Sequence, residues 1–158
     1  MTRVPMGLDF GRWFAAPREA VFRAFADAEA LRRWWGPPEF PVVDCTVDFR
    51  TGGIWHYRLR SADGAEIWAR AVYREIVEPT RISYLENSSD AAGRVTEDRP
   101  AAFVTVTLEP RDGGTMLTSR VRYAGPLDRD RAMRSGIERG FSQALDALER
   151  LLPELVEL

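Results

Sequence analysis

Apolar and polar positions change period several times along the chain, and each change marks an element. Leu8 to Phe14 mix aromatic and β-forming residues and predict a strand, ended by Ala15, Ala16 and Pro17. Pro17 suits the first turn of a helix, where its missing N–H costs nothing. In that helix Val21, Phe22 and Phe25 share one side, with Arg18, Glu19 and Arg23 around the other. Asp27 is placed to cap a second short helix carrying Leu31, Trp34 and Trp35, which Gly36, Pro37 and Pro38 stop.

From Val42 the period becomes two. Val43, Cys45, Val47 and Phe49 alternate with Val42, Asp44, Thr46 and Asp48, a half-buried strand with Cys45 inward. Further strands are predicted at Ile54 to Arg60, Glu66 to Val77, Arg81 to Leu85, Ala102 to Leu108 and Thr115 to Tyr123. Turns fall at Asp63–Gly64 and Asp112–Gly113–Gly114, so the sheet is a long antiparallel meander. Glu86 to Pro100 is polar without periodicity and reads as a mobile surface loop, a candidate lid. After Pro126, with Asp128 as a cap, an apolar stripe of Met133, Ile137, Phe141, Ala144, Leu145, Leu148, Leu151 and Leu152 predicts one long helix ended by Pro153.

The Asp63–Gly64 hairpin sets which residues share a face. Pairing Ser61 with Glu66 places Trp55, Tyr57 and Leu59 together with Trp68, Arg70 and Val72, and His56, Arg58 and Arg60 opposite. A slip that brings Trp68 to Arg60 and Arg58 to Arg70 mixes the faces and juxtaposes like charges, which favours the first register. By the same logic Val104, Val106 and Leu108 match Leu117, Ser119 and Val121. A sheet this apolar on one side, covered by one helix, either packs solid or encloses a cavity. Gly136 and Gly140 remove side-chain volume where that helix faces the sheet, and favour a cavity or a close helix-to-strand contact.

Length and composition narrow the class. The 158 residues, 45 % hydrophobic, suit a single domain over 1–158 with its core at about 8–152. With 22 basic and 24 acidic residues the net charge is −2, and no global basic field exists for nucleic acid or an anionic membrane. Every basic residue is arginine, which excludes a lysine Schiff base or a Walker lysine. The lone Cys45 makes no internal disulfide and the lone His56 builds no histidine metal cluster. The opening MTRVPMGLDFGRW has no apolar leader, and no apolar run approaches the ~18 residues of a membrane span. A cytoplasmic protein is expected.

The string AAPREAVFRAFADAEALRRWWGP, from Ala15 to Pro37, closely resembles the opening signature of START-like (SRPBCC) domains homologous to the activator of the heat-shock-protein-90 ATPase. Gly52–Gly53–Ile54–Trp55, Asp63–Gly64 and VYREIVEPTRISY from Val72 to Tyr84 are similar to the family's middle section; GGTMLTSRV and Gly140–Phe141 match its end, where many members have tryptophan at the position of Phe141. The resemblance implies an α+β helix-grip (START-like, Bet v-like) fold: a curved antiparallel sheet around a long C-terminal helix, with two short helices near the N-terminus. It also implies an internal hydrophobic cavity. The eukaryotic activator's separate chaperone-gripping domain has no room here, and the resemblance transfers no catalytic residue.

Among candidate chemistries, metal binding and a Ser–His–Asp site both lack clustered ligands or motif, and His56 is expected on the solvent side. Arg70 on an apolar face needs a partner. It either anchors a ligand carboxylate or carbonyl, pairs internally with Glu86 or Asp44, or snorkels to the edge. The candidate ligand-contacting set is Trp34, Trp35, Trp55, Tyr57, Leu59, Trp68, Arg70, Val106, Leu117, Ile137 and Phe141. The leading expectation is a binder of a small hydrophobic molecule, with no cofactor, no metal, and no nucleic-acid or membrane partner. Alternatives are a cyclase- or hydrolase-type enzyme on a small aromatic or polyketide-like substrate, using Tyr57, Arg70 or Glu66, and a chaperone ATPase-activating accessory protein. Exposed strand edges would suit a homodimer.

Overall fold

The two chain-terminal strand regions meet at one end of the sheet. The computed structural model describes residues 6–156; residues 1–5, which open the segment read as leaderless, and 157–158 lie outside the described residues. The elements run β1 (Gly7–Phe14), α1 (Arg18–Ala26), α2 (Ala28–Trp34), β2 (Val42–Val47), β3 (Ile54–Arg60), β4 (Glu66–Val77), β5 (Arg81–Ser88), β6 (Ala102–Arg111), β7 (Gly114–Arg122), α3 (Pro126–Arg134) and α4 (Ile137–Val156). The strands form one seven-stranded sheet in the order β1-β7-β6-β5-β4-β3-β2, with every neighbouring pair antiparallel. The fold is the α+β helix-grip arrangement. Helices α1 and α2 carry the chain from one edge strand, β1, to the other, β2.

Local chemistry places these elements. The Asp27 carboxylate accepts from the Glu29 amide at 3.2 Å and caps α2, and the chain leaves the helix at Trp35. Helix α4 packs against α1 and α2. It reaches the sheet through Phe141 on Phe10, ring centroids 5.0 Å apart, and through Arg12, which donates to Asp146 at 2.6 Å. Phe14, Val21, Leu31, Trp34 and Leu148 are fully buried between helices and sheet. Burying a side chain of this kind contributes about 1.5–3 kcal/mol.

The β3–β4 register differs from the expected one. Ser61 lies opposite Ala65, through Ser61 N–H to Ala65 O at 2.9 Å, and the strands continue as Arg60↔Glu66, Tyr57↔Ala69 and Trp55↔Ala71. The loop is therefore the three residues Ala62 to Gly64. Gly64 supplies the left-handed conformation such a loop needs, φ +92°, and closes the turn on Ser61 O at 3.0 Å. One loop residue fewer than expected sends Trp68, Arg70 and Val72 to the face of His56 and Arg58, away from Trp55, Tyr57 and Leu59. In the β6–β7 hairpin, Val104, Val106 and Leu108 face Val121, Ser119 and Leu117 as expected.

Further expectations change. The C-terminal helical region is two helices, because Gly136 adopts φ +84° directly after α3 and interrupts the helical path. Gly125, with Pro126 in the first turn, occupies the N-cap position expected for Asp128, and Met133 lies exposed instead of joining the core stripe. Pro153 lies inside α4, which continues to Val156. Its last turn is held by buried Leu155, by Arg23 donating to Leu155 O at 2.9 Å, and by Arg33 on Glu154. Finally, the polar segment from Glu86 is not a free loop. Glu86 to Ser88 belong to β5, Ser89 bridges Val95, and the Ser88 hydroxyl donates to Thr96 O at 2.9 Å.

Candidate functional site

Small and aromatic side chains meet between the concave sheet face and the start of α4 without filling the space. A cavity of about 440 Å³ remains, within the 300–1,000 Å³ usual for small-molecule sites. At about 30 Å³ per water this equals roughly 15 water molecules. Its floor is Tyr57 and Leu59 of β3, Ile67 of β4, Tyr84 and Glu86 of β5, Ala102 and Val104 of β6, and Ser119 and Val121 of β7. Ile137, Gly140, Phe141 and Ala144 of α4 form the roof, while Trp35, Pro37 and Phe40 close one side. Arg99, Pro100 and Arg131 stand at its margin.

The aromatic wall is self-supporting. Trp35 packs edge-on against Trp55, centroids 4.7 Å apart, and against Tyr57 and Phe141, each at 6.1 Å. Such tilted and edge-to-face pairs add about 0.5–1.5 kcal/mol beyond area burial. Gly140 contributes no side chain, and a Cβ built there would meet only Pro37, 3.8 Å away. It therefore widens the cavity without serving a close helix-to-strand contact.

Polar groups on this wall are few. The Tyr57 hydroxyl donates to Glu86 Oε1 at 2.5 Å. Burial pushes the Glu86 carboxyl above its ordinary range, against the opposing influence of the Tyr57 hydrogen bond and the Arg99 charge. Burial, followed by the Glu86 charge, pushes the Tyr57 and Tyr84 hydroxyls well up and that of Tyr123 to about 12. These tyrosines are neutral hydroxyls at physiological pH. The Ser119 hydroxyl is buried and has no hydrogen-bond partner among the described residues, an arrangement that native interiors tolerate rarely.

Of the residues expected from sequence, Trp35, Tyr57, Leu59, Ile137 and Phe141 border the cavity. Trp34, Trp55, Val106 and Leu117 lie in the surrounding core instead; Trp34 donates its indole N–H to Ala24 O at 2.9 Å. Trp68 and Arg70 stand on the opposite sheet face, a consequence of the three-residue turn. There Trp68 stacks on His56 at 4.9 Å and carries the Arg58 guanidinium 5.2 Å above its ring. Glu66 pairs with Arg58 at 2.7 Å. Of the acid–base candidates Tyr57, Arg70 and Glu66, Tyr57 alone borders the cavity.

Sequence reasoning missed Tyr84, Glu86, Ser119 and Tyr123 as cavity residues. Alternation carried through Ile82, Tyr84, Glu86 and Ser88 would have continued β5 and turned Glu86 inward. Among the described residues, no group of three or more His, Cys, Asp or Glu is placed to hold a metal ion. No helix among them is long and apolar enough to cross a membrane.

Residues 15–153 match the family model described as Activator of Hsp90 ATPase homolog 1-like protein. Solved structures agree along nearly the whole chain. Protein Ms6760 from Mycobacterium smegmatis is 28 % identical with a TM-score of 0.85, covering 93 % of this chain and 90 % of its own. A protein from Rhizobium leguminosarum is 31 % identical with a TM-score of 0.72, covering 94 % of each chain. A protein from Arthrobacter aurescens, 24 % identical, shares the fold with a TM-score of 0.87 over 94 % of this chain and 87 % of its own. No match was found among curated proteins.

Proposed function

This chain belongs to the family of Activator of Hsp90 ATPase homolog 1-like proteins, and from that premise we propose that it binds a small, largely apolar molecule between its sheet and α4. The observation that carries this reading is the apolar cavity of about 440 Å³ set beside a continuous cluster of buried hydrophobic residues. Unfilled apolar space forfeits dispersion contacts along its whole lining. An occupant of matching shape restores those contacts and buries its own surface at about 25 cal/mol per Å². Trp35, Tyr57 and Phe141 offer rigid faces for a ring or chain, while Glu86 supplies a polar contact.

Thermal denaturation against a panel of aromatics and fatty acids tests the proposal. A ligand at 100 times its Kd stabilises the native state by about 2.7 kcal/mol. For a domain of this size that raises Tm by roughly 5–10 °C. Mass spectrometry of the purified protein, searching for molecules carried through purification, supplies candidates beyond the panel. Absence of stabilisation by any compound, with nothing co-purifying, would overturn the reading. Stimulation of an Hsp90 ATPase without small-molecule stabilisation would instead favour the role in the family's name.

A further inference from the structure

The cavity wall carries a carboxyl where the sequence expectation places a cation. Arg70 lies on the far face of the sheet; Glu86 belongs to the β5 part of the lining, whose other charged residues are Asp98, Arg99 and Arg131. Oε1 of Glu86 is engaged by Tyr57. Among the described residues Oε2 has no hydrogen-bond partner, and Glu86, half-buried, lines the cavity. The groups facing Glu86 are the hydroxyl of Tyr57 on β3, Tyr84 on its own strand, Tyr123 after β7 and the Arg99 charge. Arg99 spends a guanidinium N–H on Trp68 O at 3.0 Å, and Arg131 is exposed near Asp128.

We propose that Glu86 is the recognition point of this cavity for a ligand that carries a hydrogen-bond donor, a hydroxyl or an ammonium group, on an apolar body, and that the cavity discriminates against carboxylates. The inference rests on the cavity-binding reading above. Tyr57 fixes the Glu86 carboxylate by occupying one oxygen and leaves the other as a directed acceptor. A donor placed there satisfies an atom that an apolar ligand would strip of solvent and leave unpaired. A carboxylate would bring like charge to the same point.

Isothermal titration calorimetry of the full chain at about pH 8, where an ordinary carboxyl is ionised, decides it with 2-naphthol, 2-naphthylmethylamine, 2-methylnaphthalene and 2-naphthoate. The naphthol, the amine or both should bind about tenfold tighter than methylnaphthalene, with naphthoate weakest; which of the two wins identifies a hydroxyl or an ammonium. Glu86→Gln turns an amide N–H toward the ligand and should erase the preference. Methylnaphthalene binding as tightly as both donors, naphthoate binding best, or a preference unchanged in Glu86→Gln would overturn donor recognition and leave the cavity reading standing. If none of the probes binds, donor recognition falls, and the cavity reading is decided by the denaturation panel and the mass spectrometry. Should the variant fail to fold, the ranking in the unaltered protein decides alone.

Discussion

Gly140→Ala should stabilise the protein and weaken its hold on a cavity-filling ligand. Gly140 lies in the first turns of α4, where its amide donates to Gly136 O at 3.0 Å, and it lines the cavity. An added Cβ meets Pro37 Cγ at 3.8 Å and nothing closer, an ordinary van der Waals distance. With no steric cost, the gain is the helix preference of alanine over glycine, about 0.5–1 kcal/mol. In a chain of 158 residues this raises Tm by about 1–4 °C. The methyl also takes space from the ligand, so affinity falls as stability rises. Gly136→Ala provides the contrast: at φ +84° alanine pays about 1–2 kcal/mol for the left-handed conformation, and Tm drops. Thermal and urea denaturation of both variants, with ligand titration of the first, makes the test. A lower Tm for Gly140→Ala, or an unaltered one for Gly136→Ala, would refute the distinction drawn between the two glycines.

Arg70→Leu should change stability by no more than about 0.5 kcal/mol and leave ligand affinity unaltered, since Arg70 faces away from the cavity; a tenfold affinity loss in calorimetry would contradict the register. Because burial raises the folded-state pKa of Glu86 above 4.5, its favourable contribution is complete below that value and is lost as pH rises. The stability of Glu86→Gln relative to the unaltered protein, from urea midpoints, should therefore increase between about pH 4 and pH 8. A flat gap over this range argues that the carboxyl is solvated, and a shrinking one that Tyr57 and Arg99 outweigh burial. Cys45 is buried, and burial pushes its thiol pKa up. An aromatic disulfide reagent should modify it only as the protein opens, and rapid stoichiometric labelling of the native state would show Cys45 exposed.

Much of this architecture is readable from residue pattern. The helix α2 boundaries follow from Asp27 and Gly36, and the β6–β7 register follows from a two-residue Asp112–Gly113 turn, with φ of 52° and 77°, between matched apolar runs. The same dipeptide at Asp63–Gly64 misleads because it sits inside a three-residue loop, with Gly64 as the left-handed residue that closes it. Asp-Gly marks a turn but not its length, and one residue of difference exchanges the two sheet faces. That difference moves Trp68 and Arg70 off the cavity face. Glu86 was concealed for another reason: a carboxylate beside Asn87, Ser88 and Ser89 reads as loop, whereas here tertiary packing extends β5 and turns the side chain onto Tyr57. The break at Gly136 was obscured because the apolar stripe continues in phase across it, from Met133 to Ile137.

The central claim is that a guest occupies the space between the sheet and α4. Methyl-resolved NMR during titration with a stabilising ligand tests it most directly, because Ala102, Val104, Val121, Ile137 and Ala144 put methyl groups on that wall while Val72 and Val77 lie away from it. The account predicts large, saturable shifts and ligand-to-methyl NOEs confined to the first group. Shifts centred on Val72 and Val77, or saturation binding with the wall methyls unmoved, would contradict it.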